Sequence, residues 1–335
     1  MTIHAYAANS AKEALKPFDY EPAELTSYEA QVKVTHCGVC HSDLHLIDND
    51  WGFSSFPMVA GHEAVGVVTA VGATSKVKVG DRVGLGWQRA SCQNCEYCDT
   101  AQQHLCAGNQ PTCVGAHGGF ADGVVADSRF LVHIPDAIES ENAGPLFCGG
   151  ITVYSPMKVY GVKPEMKVGV IGIGGLGHLA LQFAKAWGCE VTAFSSSPDK
   201  EEEARSFGAH NYVNSRDADQ LQAQAGKLDF IINTAMADLD WSAYLACLKP
   251  NGTLCFVGVP PSPIAVPAFG LIGGQRRIVG GQIGAPTDIK AMLDFCARHN
   301  VRAKIETVPL ANVNDALDKV RNNKARYRMV LEMPK

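Results

Sequence analysis

Residues 167–194 read KVGVIGIGGLGHLALQFAKAWGCEVTAF. The stretch opens on Lys167–Ile171, a short β-branched run. It turns through Gly172-Ile173-Gly174-Gly175-Leu176-Gly177, then continues as Gly177–Trp187 with the apolar spacing of a helix. A second β-branched run, Glu190–Phe194, follows. A G-x-G-x-x-G alone carries little information. Set between a strand and a helix, with another strand behind it, it is the pattern that cradles a dinucleotide pyrophosphate. Gly172 allows the tight turn, Gly174 lets the backbone approach the phosphates, and Gly177 lets the helix pack on the sheet. Gly175 and Leu176 complete the turn, and the helix N-terminus offers free N–H groups and a favourable dipole to an anion.

The same texture extends toward the C-terminus. Glu201–Phe207 and Trp241–Leu248 read as helices, and Phe230–Asn233, Thr253–Val257 and Ile278–Gly280 as strands. Apolar strands alternating with amphipathic helices imply a parallel, doubly wound α/β sheet. Toward the N-terminus the texture differs. Val32–Thr35, Ala64–Val71 and Arg82–Leu85 are short runs bounded by glycines and charged turns, so this part reads as β-rich. The last stretch carries helices near Asp288–His299 and Val313–Asn322 and a strand at Tyr327–Glu332.

A length of 335 residues suggests two domains. The net charge of −5 favours neither nucleic acid nor a membrane surface as partner. The longest uncharged stretch, Pro250–Gln275, is broken by Pro260, Pro261, Pro263 and Pro267, so it is not a membrane helix. The N-terminus lacks a basic start followed by an apolar run, so no signal peptide is expected and a cytoplasmic setting is. Twelve cysteines in a reducing compartment point to metal or catalysis rather than to disulfides.

Four of them, Cys92, Cys95, Cys98 and Cys106, form C-x2-C-x2-C-x7-C on a polar loop. That spacing suits one tetrahedral structural zinc, with no open position for chemistry. The lobe spans residues 88–107. A second constellation is spread along the chain: Cys37-Gly-Val-Cys40-His41-Ser42-Asp43, then Gly61-His62-Glu63, then Pro145-Leu-Phe-Cys148-Gly-Gly.

These elements, with the four-cysteine lobe, resemble the medium-chain zinc alcohol dehydrogenases in order and spacing over essentially the whole chain. Segments such as CGVCHSDLHLIDNDWGFSSFPMVAGHE, AGPLFCGGITV, VGVIGIGGLGHLA, CEVTAFSSS and KARYRMVL look most like the bacterial aldehyde reductases of the cinnamyl alcohol dehydrogenase branch. The resemblance implies a GroES-like β domain, residues 1–148, then a Rossmann domain, residues 149–284, then a return to the first domain over residues 285–335. It implies that Cys40, His62 and Cys148 hold a catalytic zinc, so that each chain carries two zinc ions. Cys37, although spaced C-x2-C from Cys40, is then a core cysteine. Lewis-acid polarisation of an aldehyde is the implied chemistry. Ser42 is implied to pass the proton, with His41 completing the relay through the cofactor ribose. Asp43 is implied to fix the ring of His62, and Glu63 to tune the zinc. Thr152 is implied to lie near the nicotinamide, and Trp51, in Asp50-Trp51-Gly52, to line the substrate pocket.

The end of the second Rossmann strand decides the cofactor. NAD-binding chains place a carboxylate there for the ribose 2′-hydroxyl. This chain has Ser195-Ser196-Ser197-Pro198-Asp199-Lys200, with hydroxyls and an ammonium suited to a 2′-phosphate and Asp199 expected to point outward. In the resembling branch the matching serines and lysine bind that phosphate, which implies NADP(H). The expected activity is NADPH-dependent reduction of neutral aldehydes, aromatic or aliphatic, to primary alcohols, by a homodimer or homotetramer. The rival is a polyol or secondary-alcohol dehydrogenase. A binding protein without turnover would not need the intact ligand set and Ser42.

Overall fold

The computed structural model describes residues 2–334. The chain forms two compact units. One holds the chain up to Ile151 together with the chain from Ile283 onward; the other is Thr152–Gln282. The chain therefore changes unit three residues later, and returns two residues earlier, than the sequence reading placed those points.

In the first unit the strands are β1 (Ile3–Ala7), β2 (Lys16–Tyr20), β3 (Glu29–Val39), β4 (Ala64–Val71), β5 (Arg82–Leu85), β6 (Gln88–Ala90), β7 (Gln110–Pro111), β8 (Gly123–Asp127) and β9 (Val132–His133). The second unit contributes β10 (Lys167–Ile171), β11 (Glu190–Ser195), β12 (Asn211–Asn214), β13 (Leu228–Asn233), β14 (Leu248–Phe256) and β15 (Arg277–Gly280). The chain then returns with β16 (Ile305–Pro309) and β17 (Arg328–Glu332). Four helices matter below: α1 (His41–Asp48), α2 (Gly177–Ala186), α3 (Pro286–His299) and α4 (Val313–Arg321).

The first unit is built on a seven-stranded sheet in the order β16-β17-β3-β4-β5-β9, with β8 also paired to β3. β3 is longer than the apolar run Val32–Thr35 suggests. Ala30, Val32 and Val34 point into the core while Gln31, Lys33 and Thr35 alternate outward, so half of the strand reads as polar. Those inward residues pack with Val68, Val83, Phe120 and Val124 in one cluster. β17 returns antiparallel to β3, with Met329 opposite Val39, so the C-terminal segment completes this sheet.

The six strands of the second unit are parallel, in the order β12-β11-β10-β13-β14-β15. The order reverses between β10 and β13, the switch point where such sheets bind ligands. Gly172 takes φ +84°, a region that suits glycine, and turns the chain from β10 toward α2. A Cβ at Gly177 would collide with the Gly172 carbonyl oxygen, so only glycine lets α2 start this close to the turn. Among the described residues no helix is long and apolar enough to cross a membrane.

Candidate active site and metal centres

Cys40 ends the β3 segment as the N-cap of α1, and its N–H donates to Asp43 Oδ2 at 2.9 Å. The other Asp43 oxygen accepts Gly61 N–H at 2.9 Å and faces His62 Nδ1 at 2.8 Å. Asp43 and His62 are both fully buried. The carboxylate therefore fixes the tautomer: Nδ1 carries the proton, and Nε2 presents its lone pair. Nε2 is buried and has no hydrogen-bond partner among the described residues.

That lone pair belongs to a cluster. Ligand atoms of Cys40, His62, Glu63 and Cys148 all lie within 4.8 Å of one another, and all four residues are buried. Cys148 enters between the 3-10 turn Gly144–Phe147 and the helix Gly149–Val159. The two sulfurs are 3.8 Å apart and unbonded. Two thiolates at ~2.3 Å from a tetrahedral zinc would stand about 3.8 Å apart. Two sulfurs, an orphaned imidazole nitrogen and a nearby carboxylate thus fit a zinc ion. Contact with Cys148 holds the Cys40 thiol well below its usual range, and the same contact raises that of Cys148.

Glu63 forms a buried ion pair with Arg328, and its second oxygen has no partner among the described residues. Burial pushes its carboxyl up, and Arg328 opposes that shift. The β17–β3 pairing explains the contact, since Arg328 precedes Met329, which faces Val39. The sequence reading gave Arg328 no role. A lone arginine opening the apolar run Met329-Val330-Leu331 was the available signal.

Asp43, His62 and Cys113 form a third buried group. Asp43 already accepts from Cys40, Gly61 and His62, so its two oxygens are committed to holding the loop and the ring. Cys37 lies outside every one of these groups; its thiol donates to Gly38 O at 3.5 Å.

Ser42 sits in the first turn of α1, between His41 and Asp43. His41 is largely buried, which lowers its pKa. His45 lies three residues beyond Ser42, on the same helix face. Its Nδ1 is 2.8 Å from Asp50 Oδ2, and both residues reach solvent. This pair was missed by the sequence reading. An aromatic track starts at the metal cluster: Trp87 meets the His62 ring at 5.0 Å, and Trp51 meets Trp87 at 5.9 Å. Trp51 also stacks on Phe53 and contacts His45, and it is 42% exposed.

Cys92, Cys95, Cys98 and Cys106 bring their sulfurs within 4.8 Å of one another. Cys106 and Cys92 are 3.4 Å apart, and Cys92 and Cys98 3.9 Å. Backbone supports the set: Gly108 N–H donates to Cys106 Sγ at 3.2 Å. Gln88 Nε2 donates to Gln103 O at 2.7 Å and ties the lobe to β6. Four unbonded thiols so arranged also fit one zinc ion.

In the second unit, Gly174 has nothing within 4 Å of where a Cβ would stand, so open space faces the turn. Gly175 follows it, and Leu176 is the N-cap of α2. Ser195 ends β11, buried, and its Oγ accepts Ser197 N–H at 3.3 Å. Ser196 and Asp199 are exposed. Lys200 Nζ donates to Ile173 O at 3.0 Å, which brings the ammonium to the glycine turn. Thr152 lies on the helix Gly149–Val159 and is the first residue of this unit.

Comparison with known proteins gives two family matches. The alcohol dehydrogenase GroES-like domain matches residues 26–136, and the zinc-binding dehydrogenase family matches residues 175–298. The chain is 46% identical over 334 residues to the aldehyde reductase AdhA of Synechocystis sp., covering 99% of each chain. Its fold is similar to that of the Sorghum bicolor cinnamyl alcohol dehydrogenase SbCAD4, with TM-score 0.95 and 42% identity over 99% of this chain and 98% of that one. The CAD of Helicobacter pylori, solved in complex with NADP(H), matches with TM-score 0.91 and 31% identity over 99% and 98%.

Proposed function

Because the chain belongs to the zinc-binding, GroES-like alcohol dehydrogenases, we propose that it reduces aldehydes to primary alcohols with NADPH, and catalyses the reverse oxidation. The observation that carries this reading is the buried Cys40–His62–Cys148 donor set with its orphaned Nε2. A zinc ion held there supplies Lewis acidity to a carbonyl oxygen.

The residues around it divide the remaining work. Asp43 locks the His62 ring so that Nε2 stays a ligand. Glu63, balanced by Arg328, places a carboxylate beside the donor set. Ser42 Oγ gives its proton to the substrate oxygen as the aldehyde becomes the alcohol, and is reprotonated by a neighbouring histidine. His41 serves the route through the cofactor ribose, and His45, oriented by Asp50, serves a route from solvent. Trp51 and Trp87 offer a neutral aromatic surface that suits aryl and alkyl aldehydes over charged ones.

The cofactor reading is supported by the α2 N-terminus for the pyrophosphate and by Ser195, Ser196 and Lys200 for the 2′-phosphate. Thr152 would lie near the nicotinamide of a bound cofactor. The name of the AdhA relative and the NADP(H) complex of the H. pylori relative point the same way. Twelve free cysteines suit a reducing cytoplasm. A homo-oligomer is the proposed assembly, and the open edge of the second unit's sheet supports it. There β15 is the terminal strand, and nearby Phe269 and Ile272 are 79% and 70% exposed.

The test is steady-state turnover of an aldehyde panel, benzaldehyde to octanal, with NADPH and with NADH. Rapid NADPH oxidation, slower NADH oxidation, and no turnover in Cys40→Ala are expected. Cofactor binding without turnover of any aldehyde would exclude the enzyme reading.

A further inference from the structure

β12 is the edge strand of the second unit's sheet, and its sequence, Asn-Tyr-Val-Asn, carries no binding motif. Its register with β11 sets Tyr212 opposite Ala193, two residues before Ser195. From there the Tyr212 hydroxyl donates to the Ser197 carbonyl oxygen at 2.7 Å. The same carbonyl accepts Lys200 N–H at 3.0 Å. Ser197 N–H donates to Ser195 Oγ at 3.3 Å, and Lys200 Nζ donates to Ile173 O at 3.0 Å. The Ser197 backbone is therefore the hub that ties Ser195 to Lys200, which reaches the glycine turn, and Tyr212 anchors it from outside the turn.

We propose that Tyr212 is a positioning residue for cofactor selection: its hydroxyl holds the Ser195–Lys200 turn in the shape that receives an adenosine 2′-phosphate. The inference rests on the NADP(H) reading above. Three features of the turn make an anchor necessary. Pro198–Lys200 is a single 3-10 turn, which has little stability of its own. Ser196, Pro198 and Asp199 are exposed, so solvent rather than packing surrounds them. Asp199 puts a carboxylate in the same turn, and like-charge repulsion sets it against a phosphate unless the turn keeps its shape. Held as it is, Ser195 Oγ accepts from Ser197 N–H and keeps its own hydrogen for a phosphate oxygen. Ordering of the turn is thus prepaid, and the cofactor does not bear that cost on binding.

The experiment is calorimetric titration of wild-type protein and Tyr212→Phe with adenosine 2′,5′-bisphosphate and with adenosine 5′-monophosphate. Loss of one neutral hydrogen bond corresponds to about fivefold weaker binding. That loss is expected for the bisphosphate alone, with monophosphate affinity unchanged. In steady state, KM for NADPH should rise by the same factor, with kcat and both NADH parameters unchanged. Equal weakening of the two nucleotides would make Tyr212 merely structural and overturn the proposal, as would no change in either. Failure of the NADP(H) reading looks different: wild-type protein itself would bind the bisphosphate no tighter than the monophosphate, and the proposal would fall with it.

Discussion

At the scale of single residues, the account turns on buried polar groups whose partners are fixed. Asp43 satisfies three donors, so Asp43→Ala strands the His62 Nδ1–H and frees the ring to turn. Loss of such an orienting partner typically weakens a metal ligand set by about 10–100-fold. Competition with a graded series of zinc chelators should show that loss for one of two zinc ions and leave the other unchanged. Arg328→Met leaves Glu63 buried without its cation, which costs about 3–5 kcal/mol. Urea unfolding should register it, and an unchanged midpoint would mean that Glu63 finds another partner. In the second unit, Ser195→Asp places a carboxylate at the end of β11, where a 2′-phosphate would sit. The ratio of kcat/KM for NADPH to that for NADH should fall by at least about tenfold, since like charges at close range cost at least ~1.4 kcal/mol. An equal fall with both cofactors would put the 2′-phosphate elsewhere.

At the scale of elements, what was legible depends on how each strand is buried. β10, β11 and β13 are buried along most of their length, so they appear in the sequence as short, mostly apolar runs rich in Val, Ile and Phe. β12 lies at the sheet edge, and its flanking asparagines hide it. β3 buries one face, so its full length is visible only as alternation. β16 was missed as well, because Ile305-Glu306-Thr307-Val308-Pro309 mixes a charge and a proline and is only partly buried. Gly177 shows the reverse case, a residue whose role could be read directly. Gly177→Ala should destabilise the second unit by about 1–3 kcal/mol, the usual cost of overpacking, and weaken NADPH binding. A variant with unchanged melting and cofactor affinity would contradict the packing of α2 on its turn. The four-cysteine lobe was legible for another reason: its ligands are local, so spacing alone announces them. The proposed catalytic donor set was not. Cys40, His62 and Cys148 are scattered, and only resemblance joined them before the structure placed them within 4.8 Å. The His45–Asp50 pair was out of reach because its meaning lies in a contact that no local pattern encodes, and Arg328 offered only an arginine at the head of an apolar run, with nothing to name Glu63 as its partner.

At the scale of the whole molecule, the chain divides its chemistry between two units. The first carries both candidate metal centres and the aromatic track, the second the nucleotide turn. The exposed Phe269 and Ile272, which precede β15 in the chain, are the proposed contact between copies. Phe269→Asp with Ile272→Asp should reduce the mass seen by light scattering to that of one chain, while an oligomer of unchanged size would move the contact elsewhere. In the proposed function, a zinc ion held by Cys40, His62 and Cys148 would supply the Lewis acidity for reduction, and one in the four-cysteine lobe would not. Zinc content and NADPH oxidation measured on the same preparation of Cys148→Ser test it most directly. The account predicts that zinc falls from about two ions per chain to about one, with no turnover and an intact lobe. Two retained zinc ions, or turnover that survives the loss of one, would contradict it.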